Sequence, residues 1–472
     1  MNVIDKLRSL GYDSIDASWY TRVDTWNSWY KGNVAKFHDY TVYNGQHRIK
    51  CQRYTLGMAK KVCEDWANLL MNEKVKITLE DKAAQEFVDE VFKENDFEVN
   101  MNELQEKGAA RGTYAVIPRI VNVNIDGNGN VIKGEKIVFD YITADRIFPI
   151  SWTGRDIKEC AFATVVVQGK DKYLYMQIHV KGENGNYKIL NKMFNANNDT
   201  LQDAQLADVK GYQNVPETVE TNSDKPQFFI GRLNIANNIE DDNPMGISVF
   251  ANAIDILKGL DIAYDSYVNE FVLGKKRVMV QPSVTKKMDG ENVFDPNDVT
   301  YYVLPEDMTD GSLIQPIDMS LRTPQHQQGI QDQLNLLSAK CGFGEQHYKF
   351  DQGSVATATQ IVSENSEMFR TIKKHEIVLE SLLVDLCRAI LRLGNTYLGK
   401  SLDEKVEISI DFDDSIIEDK DSEFNRTLTM LSAGLMRPEE ARSIIMNEDI
   451  DTAKEALPTL MDLTTEGQDE VE

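Results

Sequence analysis

The fold is decided by the stretch NPMGISVFANAIDILKGLDIAYDSYVNEFVLGKKRVMV, which runs from residue 243 to residue 280. Asn243 and Pro244 fit a helix cap and a first helical position, because the first turn of a helix leaves its N–H groups unpaired and proline has none. The pattern predicts a helix over residues 247–273, about 40 Å long. Its apolar stripe comprises Ile247, Phe250, Ile254, Leu257, Tyr264, Tyr267 and Phe271. Asp261 interrupts this stripe.

A group of cations follows this helix, whose end is marked by Gly274. They are Lys275, Lys276, Arg277, Lys286 and Lys287. Positive charge suits the C-terminus of a helix, where the macrodipole is negative. The same residues equally fit a positive tip on an acidic protein, and the sequence leaves both interpretations open. Strand-like pieces at 277–284 and 299–305 indicate a compact β segment between residues 277 and 320.

A second helix is predicted over residues 323–340, with a Thr-Pro pair at its start. Its apolar seam is narrow, with only Ile330, Leu334 and Leu337, and its other faces carry mostly Gln, Asn and Asp. Such a helix fits an element that contacts similar neighbours on one side and water on another. Two mid-length helices on either side of a small β tip therefore predict a stalk.

The segment CGFGEQHYKFDQG, residues 341–353, raises the question of a nucleotide site. It fails as a phosphate loop, because the pattern GxxxxGK[ST] must follow a buried strand and no Lys-Ser or Lys-Thr pair follows these glycines. A dinucleotide site also needs a third glycine at a fixed spacing and a βαβ unit, which the sequence does not provide. The glycines instead predict a flexible hinge. Thr357 and Gln360 fit a capping box that starts the next helix.

A very long helix is predicted from about residue 358 to residue 394, or about 55 Å. Its apolar positions, near the helical repeat, are 361, 368, 372, 379, 383, 386, 390 and 393. Further on, KVEISIDF at 405–412 indicates a strand. Short helices are predicted at Arg437-Pro438-Glu439-Glu440 and at Thr452-x-x-Glu455, the latter as a capping box. The acidic end TTEGQDEVE is predicted to be disordered.

The N-terminal half adds a helical part and then a β-rich part. Residues 1–110 are aromatic-rich, and TLGMAKKVCEDWANLLMNEKVKI at 55–77 predicts an amphipathic helix. From 112 to 235 the pattern turns to strands, which are separated by the turn-rich joints IDGNGN at 125–130 and KGENGN at 181–186. The fold class is therefore predicted to be α+β.

Composition excludes several classes of protein. A chain of 472 residues with 42% hydrophobic content can bury a core in several structural units. No run approaches the ~18 apolar residues of a membrane span, and the start lacks the pattern of a signal peptide. The five cysteines show no paired spacing and are expected to be reduced packing residues. The net charge of −25 argues against a DNA clamp, since such binders neutralise phosphates.

No enzyme signature stands out in the sequence. It has no GxSxG elbow and no HExxH motif, and its six histidines show no metal-ligand spacing. Asp126, Asn128 and Asn130 have the spacing of a calcium loop, but the glycine and glutamate that complete such a loop are missing, so a hairpin turn is expected. The acidic run at 411–423 could hold a cation, although such runs are more often solvated turns. No catalytic residue, cofactor or metal ligand is predicted.

Several strings, in this order, resemble the portal proteins of tailed bacteriophages, particularly those of phages and prophages of Gram-positive hosts. They are NNIEDDNPMGISVFANAIDILKGLDIAYDSYVNEFVLGKKRVMV at 237–280, VATATQIVSENSEMFRTIKKHE at 355–376, and IDFDDSIIEDKDSE followed by AGLMRPEEAR. The similarity spans nearly the whole chain. It implies a ring, usually of twelve subunits, at one capsid vertex, through which the terminase packages DNA and the genome later leaves.

The resemblance also implies a division of the chain and a set of contact residues. Residues 1–243 would be a β-containing wing, 244–274 the first stem helix, 275–322 a small α/β clip, 323–341 the second stem helix, 342–357 a tunnel loop, 358–415 the long wing helix with the rest of the wing, and 416–472 a helical crown with an acidic tail. The residues expected toward DNA in the channel are Lys340, Gly342, Gly344, Gln346, His347, Lys349, Gln352 and Gly353. The clip cations Lys275, Lys276, Arg277, Lys286 and Lys287 are expected to contact the terminase and later a head-tail adaptor.

The implied partners are further copies of the chain, double-stranded DNA, the terminase large subunit, a head-tail adaptor, and major capsid and scaffold proteins, with no membrane. The protein would be assembled in the host cytoplasm, carried in the virion at a capsid vertex, and without enzymatic activity. Two alternatives stay open. One is a packaging ATPase or nuclease, suggested only by the Gly-rich segment, and the other is a head structural protein without a channel.

Overall fold

The computed structural model describes residues 3–43, 45–71, 75–125, 131–198, 200–274, 277–280, 301–303, 314–317, 320–350, 358–412, 420–446 and 449–457. The chain divides into two compact units, residues 1–411 and 412–472. Several predicted features lie outside the described residues, namely Lys275, Lys276, Lys286, Lys287, Gln352, Gly353, Thr357, positions 126–130 and the acidic run at 413–419.

Helices and strands are mixed along the described chain, as the predicted α+β class requires. The helices of the first unit are α1 (Val3–Ser9), α2 (Ser18–Tyr30), α3 (Ala35–His38), α4 (Met58–Leu70), α5 (Lys82–Glu94), α6 (Phe97–Arg111), α7 (Ile254–Leu273), α8 (Thr323–Lys340) and α9 (Ala358–Tyr397). Those of the second unit are α10 (Lys420–Ser432), α11 (Pro438–Met446) and α12 (Ile450–Glu455).

Among the described residues, the strands lie in the first unit. They are β1 (Asp39–Tyr43), β2 (Arg48–Gln52), β3 (Lys76–Leu79), β4 (Tyr114–Val121), β5 (Asn124–Ile125), β6 (Val131–Lys133), β7 (Lys136–Thr143), β8 (Ile147–Thr153), β9 (Asp156–Gln168), β10 (Asp171–Lys181), β11 (Tyr187–Asn195), β12 (Gln202–Ala204), β13 (Thr218–Glu220), β14 (Phe229–Gly231), β15 (Arg277–Val280), β16 (Tyr301–Val303), β17 (Ile314–Ile317) and β18 (Ile408–Asp411).

The largest sheet is antiparallel, with the strand order β12-β11-β10-β9-β8 and with β13 also paired to β11. The predicted turn at 181–186 is confirmed, because Lys181 pairs with Tyr187 where β10 turns into β11. Ile4 and Leu7 of α1 pack on one face of this sheet, in a cluster with buried side chains such as Met176. Alternate residues of β10 and β11 fill that cluster, which is why the β pattern could be read from the sequence.

A second sheet, β14-β4-β7, lies beside α6 and carries the chain toward α7. Gly112 follows α6 with a φ of +86°, and a Cβ on it would lie 2.2 Å from the carbonyl oxygen of Gly246. Only glycine tolerates both this conformation and this approach. This close approach of Gly112 and Gly246 holds the segment before α7 against α6.

Helix α7 begins at Ile254, so the earlier predicted start is wrong. The N–H of Val249 donates to the carbonyl oxygen of Ala109 in α6 (2.9 Å), which is incompatible with a helical bond at that position. Asn243 does not cap a helix either, because residues 244–250 are not helical. Its side chain accepts the N–H of Met245 (2.9 Å) in a local turn. The 20-residue helix is about 30 Å long rather than about 40 Å.

Helices α8 and α9 agree closely with their predictions. Helix α8 has the predicted bounds, and its seam of Ile330, Leu334 and Leu337 is buried. It packs along α7, so the two helices predicted for the stalk are neighbours, while the stalk itself stays a prediction. Helix α9 begins where predicted and ends at Tyr397, slightly later. Its predicted apolar positions 368, 372, 379, 383, 386, 390 and 393 are buried.

The residues that the structure describes between α7 and α8 include three strands. Strand β15 pairs in parallel with β16 and antiparallel with β17, and Arg277 stands opposite Ile317. The two predicted strand-like pieces are confirmed as β15 and β16, while β17 was not distinguished in the sequence. Of the clip cations, only Arg277 falls within an element that the structure describes.

The helix predicted over 55–77 corresponds to α4, and its predicted C-terminal end is wrong. Residues 76–79 form β3, which pairs antiparallel with β18. The strand predicted near 405–412 is thereby confirmed. Because the partner of β3 lies about 330 residues further along the chain, local periodicity could not reveal the pairing.

The second unit contains short helices. Helix α11 begins at Pro438 as predicted, and the N–H of Arg437 donates to the carboxylate of Glu440 (2.9 Å). The capping box predicted at Thr452 is wrong, because α12 begins at Ile450 and Thr452 lies inside the helix.

The cysteines behave as packing residues, as expected. Cys63, Cys160, Cys341 and Cys387 are buried free thiols, and Cys51 is half-buried. In the part of the chain that the structure describes, no helix combines the length and the apolar character needed to cross a membrane.

Candidate functional site

The segment after α8 that the structure describes, residues 341–350, turns back along that helix. The side chain of Gln331 clamps it, since its amide nitrogen donates to the carbonyl oxygen of Tyr348 (2.9 Å) and its oxygen accepts the N–H of Phe350 (2.7 Å). The N–H of Tyr348 also donates to the hydroxyl of Ser338 (3.3 Å). Hydrogen bonds at several points therefore hold this segment, which we name the return segment.

An aromatic cluster holds the return segment against the helical part of the first unit. The ring of Trp66 stacks on Phe343 with centroids 4.7 Å apart, and its indole N–H donates to the carbonyl oxygen of Cys341 (3.0 Å). Phe343 in turn stacks on His347 at 4.5 Å. His375 of α9 meets Trp66 edge-on at 4.7 Å, and burial lowers its pKa to about 3, which keeps it neutral.

A carboxylate on α4 completes these contacts. Asp65 accepts the hydroxyl of Tyr348 (2.9 Å) and lies 3.6 Å from Nε2 of His347, and Lys61 is paired with it. Burial raises the pKa of Asp65, but the hydrogen bonds from His347, Lys61 and Tyr348 outweigh it and hold the pKa below its usual value. Burial and this carboxylate raise the pKa of the Tyr348 hydroxyl. The pair therefore consists of a charged acceptor and a neutral donor.

The glycines of the return segment serve a tight turn. Gly342 and Gly344 both have a φ of +87°. A Cβ on Gly342 would lie 2.9 Å from the methyl group of Thr371 and 3.4 Å from Trp66. The N–H of Phe343 donates to the carbonyl oxygen of Ser338 (3.0 Å). Over residues 341–350 the segment is thus a packed turn rather than the flexible hinge predicted from its glycines.

The predicted channel residues are divided by this geometry. Gly342 and Gly344 belong to the packed turn and Gln346 is half-buried, whereas His347 is exposed although its ring stacks on Phe343. Lys340 and Lys349 are exposed, at the two ends of the turn. Their contact with DNA stays a prediction, as does the tunnel-loop assignment. The sequence did not single out Trp66, Asp65 or Tyr348, although Trp66 and Asp65 lie in the amphipathic helix predicted at 55–77.

A charged junction joins α7 and α8 next to the three-stranded sheet. Glu270 accepts the guanidinium of Arg322 through Nε (3.1 Å) and Nη2 (2.9 Å), and also its backbone N–H (3.0 Å). Nε2 of His326 lies 3.4 Å from the same carboxylate. The hydrogen bonds from Arg322 lower the pKa of Glu270 to about 2. No sequence signal identified this junction, because its members are separated by the whole β segment.

Two buried carboxylates of α7 bind the strand-to-helix connection before α4. Asp261 accepts the N–H of Leu56 (2.9 Å) and lies 3.1 Å from Nε2 of His38. The other ring nitrogen of His38 accepts the N–H of Val34 (2.8 Å), so Nε2 carries the proton that is donated to Asp261. Asp265, one turn later, accepts the N–H of Tyr54 (3.0 Å). Asp261, which interrupts the predicted apolar stripe, therefore makes polar contacts with His38 and Leu56.

The paired helices α7 and α8, the small sheet between them in sequence and the long helix α9 agree with the α+β portal fold predicted from the sequence. A family model described as "Phage portal protein, SPP1 Gp6-like" matches residues 12–458. The chain belongs to this family of portal proteins.

Solved structures give weaker likenesses. The chain is similar to one in the "Neck of native GTA particle computed with C12 symmetry", with 10% identity and a TM-score of 0.38, covering 82% of this chain and 89% of that one. It is also similar to one in the "Virion of native gene transfer agent (GTA) particle", with 9% identity and a TM-score of 0.41, covering 83% and 89%. No curated protein matches the chain in sequence.

Proposed function

We propose that this portal protein forms a closed ring at one vertex of a virion capsid, through which the terminase packages DNA and the genome later exits. The main observation in support of this proposal is the family match across residues 12–458. A ring of twelve copies, assembled in a host cytoplasm, follows the expectation from the sequence. Further proposed partners are the terminase large subunit, a head-tail adaptor, and the capsid and scaffold proteins.

The division of the chain is proposed with one revision. The first stem helix is assigned to α7 (Ile254–Leu273) and the second to α8 (Thr323–Lys340), with the clip between them. The wing then comprises the first unit before α7 together with α9, and the crown comprises α10 to α12. The junction of Glu270 with Arg322 supports this division, since it ties the two stem helices together where the clip begins.

The charge of the chain supports a channel through which DNA moves. Double-stranded DNA carries about one negative charge per 1.7 Å, and each strong phosphate contact would resist sliding. A net charge of −25 keeps such contacts few. The exposed Lys340 and Lys349 are proposed to touch passing phosphates briefly.

These two lysines can be tested without disturbing the packed turn. The double variant Lys340→Gln and Lys349→Gln should form rings as readily as the wild type, because both side chains are exposed. Packaged DNA per particle, or its retention, should change. Unaltered packaging and retention would remove the proposed contact with DNA.

The packed turn supports a structural rather than an enzymatic role. A phosphate loop binds its ligand with free backbone N–H groups. In the return segment the N–H groups of Phe343, Tyr348 and Phe350 are already bonded to α8. Purified rings should therefore show no ATP turnover, and turnover abolished by Gly342→Val would favour the packaging-enzyme alternative.

Electron microscopy tests the ring directly. Class averages of the purified protein should show a closed ring with a central hole, and labelled particles should carry it at one vertex. A protein that stays monomeric under all assembly conditions, or that occupies many capsid positions, would contradict the proposal. The second result would favour a head protein without a channel.

A further inference from the structure

His179 of β10 is buried without a hydrogen-bond partner. The residue is 1% exposed, and neither ring nitrogen is bonded to any of the described residues. Buried polar groups are usually paired, because an unpaired one costs stability. Packing alone does not account for a histidine at this position, since an apolar side chain would fill the space without that cost. What the imidazole adds is the ability to bind a proton.

The neighbours of His179 are apolar or uncharged. The rings of Phe162 and Phe228 meet the imidazole edge-on, with centroids 5.5 Å and 5.4 Å away. On the two adjacent strands, Cys160 and Ile189 stand opposite it. Burial raises the pKa of the Cys160 thiol, which therefore stays uncharged. These surroundings offer a proton on the imidazole no counter-charge.

Phe228 belongs to a segment that crosses from one sheet to another. We name residues 218–231 the bridging segment. At its start β13 pairs with β11 of the largest sheet, and at its end β14 pairs with β4 of the second sheet. Phe228, just before β14, is buried against His179. The charged residues of this segment are exposed: Glu220, Asp224 and Lys225.

Few hydrogen bonds hold the bridging segment between its two short strands. The N–H and the hydroxyl of Thr221 both donate to the carbonyl oxygen of Tyr187 (3.1 Å and 2.7 Å), and the N–H of Tyr187 donates to the carbonyl oxygen of Ser223 (2.8 Å). The side-chain amide of Gln227 donates to the carbonyl oxygen of Pro118 (2.8 Å). A short segment held in this way can open locally while the rest of the unit stays folded.

The closed segment disfavours protonation of His179. An imidazolium has two N–H donors and a positive charge, and this site gives neither ring nitrogen an acceptor. Burial therefore lowers the pKa of His179 from 6.5 to about 3. The resulting stability is complete above pH 6.5 and is lost progressively as the pH falls toward 3, because only open conformations bind the proton in that range.

We propose that the contact between His179 and Phe228 is an acid-sensitive contact. It holds the bridging segment closed at neutral pH, and acid opens the segment by protonating the imidazole once the ring has reached water. This inference goes beyond the proposed function and does not rest on it.

A second buried histidine lies near the end of the bridging segment and must be separated from the first. Nδ1 of His375 accepts the N–H of Asn234 (3.0 Å), which follows β14, and burial lowers the pKa of His375 to about 3 as well. Acid can therefore also weaken this neighbouring contact. A comparison of the wild type with variants of His179 isolates the proposed contact, because His375 is the same in all of them.

Hydrogen exchange of the full-length protein tests the proposal. The opening constant of the bridging segment is measured at about pH 7.5 and about pH 5, both above the range in which Glu270 titrates. Its rise on acidification should be about thirtyfold larger in the wild type than in His179→Leu, which follows from a pKa of 6.5 in the open state and about 3 in the closed state. His179→Met, which cannot bind a proton either, repeats the comparison with a second side chain.

A matched control loosens the segment without changing the imidazole. Thr221→Val removes the hydroxyl that donates to Tyr187, so it should raise the opening constant equally at both pH values and keep the acid-dependent rise. A wild-type rise no larger than that of the two His179 variants would overturn the proposal. So would an equal rise in α5, since the whole unit would then be opening rather than the bridging segment.

Discussion

At the scale of single residues, Asp261 shows how a polar group can hold distant parts of the chain. Its side chain is 6% exposed and meets His38 and the N–H of Leu56, which lie more than 200 residues earlier. A buried carboxylate is tolerated when such donors satisfy it, and removing it leaves them unpaired. In the sequence the residue was only a break in an apolar stripe, because its partners are remote.

Replacing this carboxylate should destabilise the protein clearly. Asp261→Ala should lower the free energy of unfolding by about 2–4 kcal/mol, because His38 and the Leu56 N–H lose their acceptor. Urea denaturation at a fixed protein concentration measures the change. Asp255→Ala, on the same helix but 93% exposed, should stay within about 0.5 kcal/mol. Equal effects at the two positions would contradict the assigned role.

Gly342 offers a second residue-scale prediction. Gly342→Ala should cost about 2–4 kcal/mol, since it adds left-handed strain and crowds Thr371 and Trp66. Gly399 is the matched control, because it also has a positive φ (+66°) but nothing within 4 Å of an added Cβ. Gly399→Ala should cost about 1 kcal/mol, the strain alone. Thermal denaturation of both variants measures these losses. Equal losses of stability would show that the return segment is loosely packed.

At the scale of elements, the junction of α7 and α8 is expected to respond to acid. The pKa of Glu270 is lowered from 4.5 to about 2. A lowered carboxyl pKa stabilises the folded state above the unfolded pKa, and this contribution is lost as the pH falls through the folded pKa. The junction should therefore stay intact at neutral pH and weaken between pH 4.5 and about 2.

The variant Arg322→Ala tests this dependence. Its stability difference from the wild type should be constant above about pH 5 and should shrink as Glu270 becomes protonated in both proteins. Unfolding curves collected across this pH range provide the measurement. Lys258→Ala, which removes an exposed pair with Asp255, should show a small difference at every pH. If Arg322→Ala lost the same stability at every pH, the ionisation of Glu270 would not be the cause of the loss.

Elements also show what the sequence could predict. Helix α8 was predicted with both bounds because its signals are local, namely Pro324 in the first turn and a regular seam. The start of α7 was predicted wrongly, because the N–H of Val249 donates to the carbonyl oxygen of Ala109 in α6 and this contact overrides the helical pattern. The same holds for the return segment, where glycines suggested flexibility but Trp66 and Gln331 fix the turn.

At the scale of the whole molecule, the role of the positive charges of the clip can be tested while the rest of the acidic chain stays unchanged. Reversing Lys275, Lys276 and Arg277 together to glutamate should weaken the proposed docking of the terminase or adaptor, since it removes the positive charge proposed to contact them. Binding of purified terminase to rings, measured at several salt concentrations, is the test. Unchanged binding would leave these residues as cations that suit the end of α7.

The pairing of β3 with β18 has a consequence for the order in which the protein is made. Strand β3 must wait for its partner, about 330 residues later in synthesis, which at about 5–20 residues per second takes about 15–65 seconds. During that interval the edge of β3 is open to strands of other nascent chains. The first unit can therefore be completed only after β18 has been synthesised, however early the rest of that unit has formed.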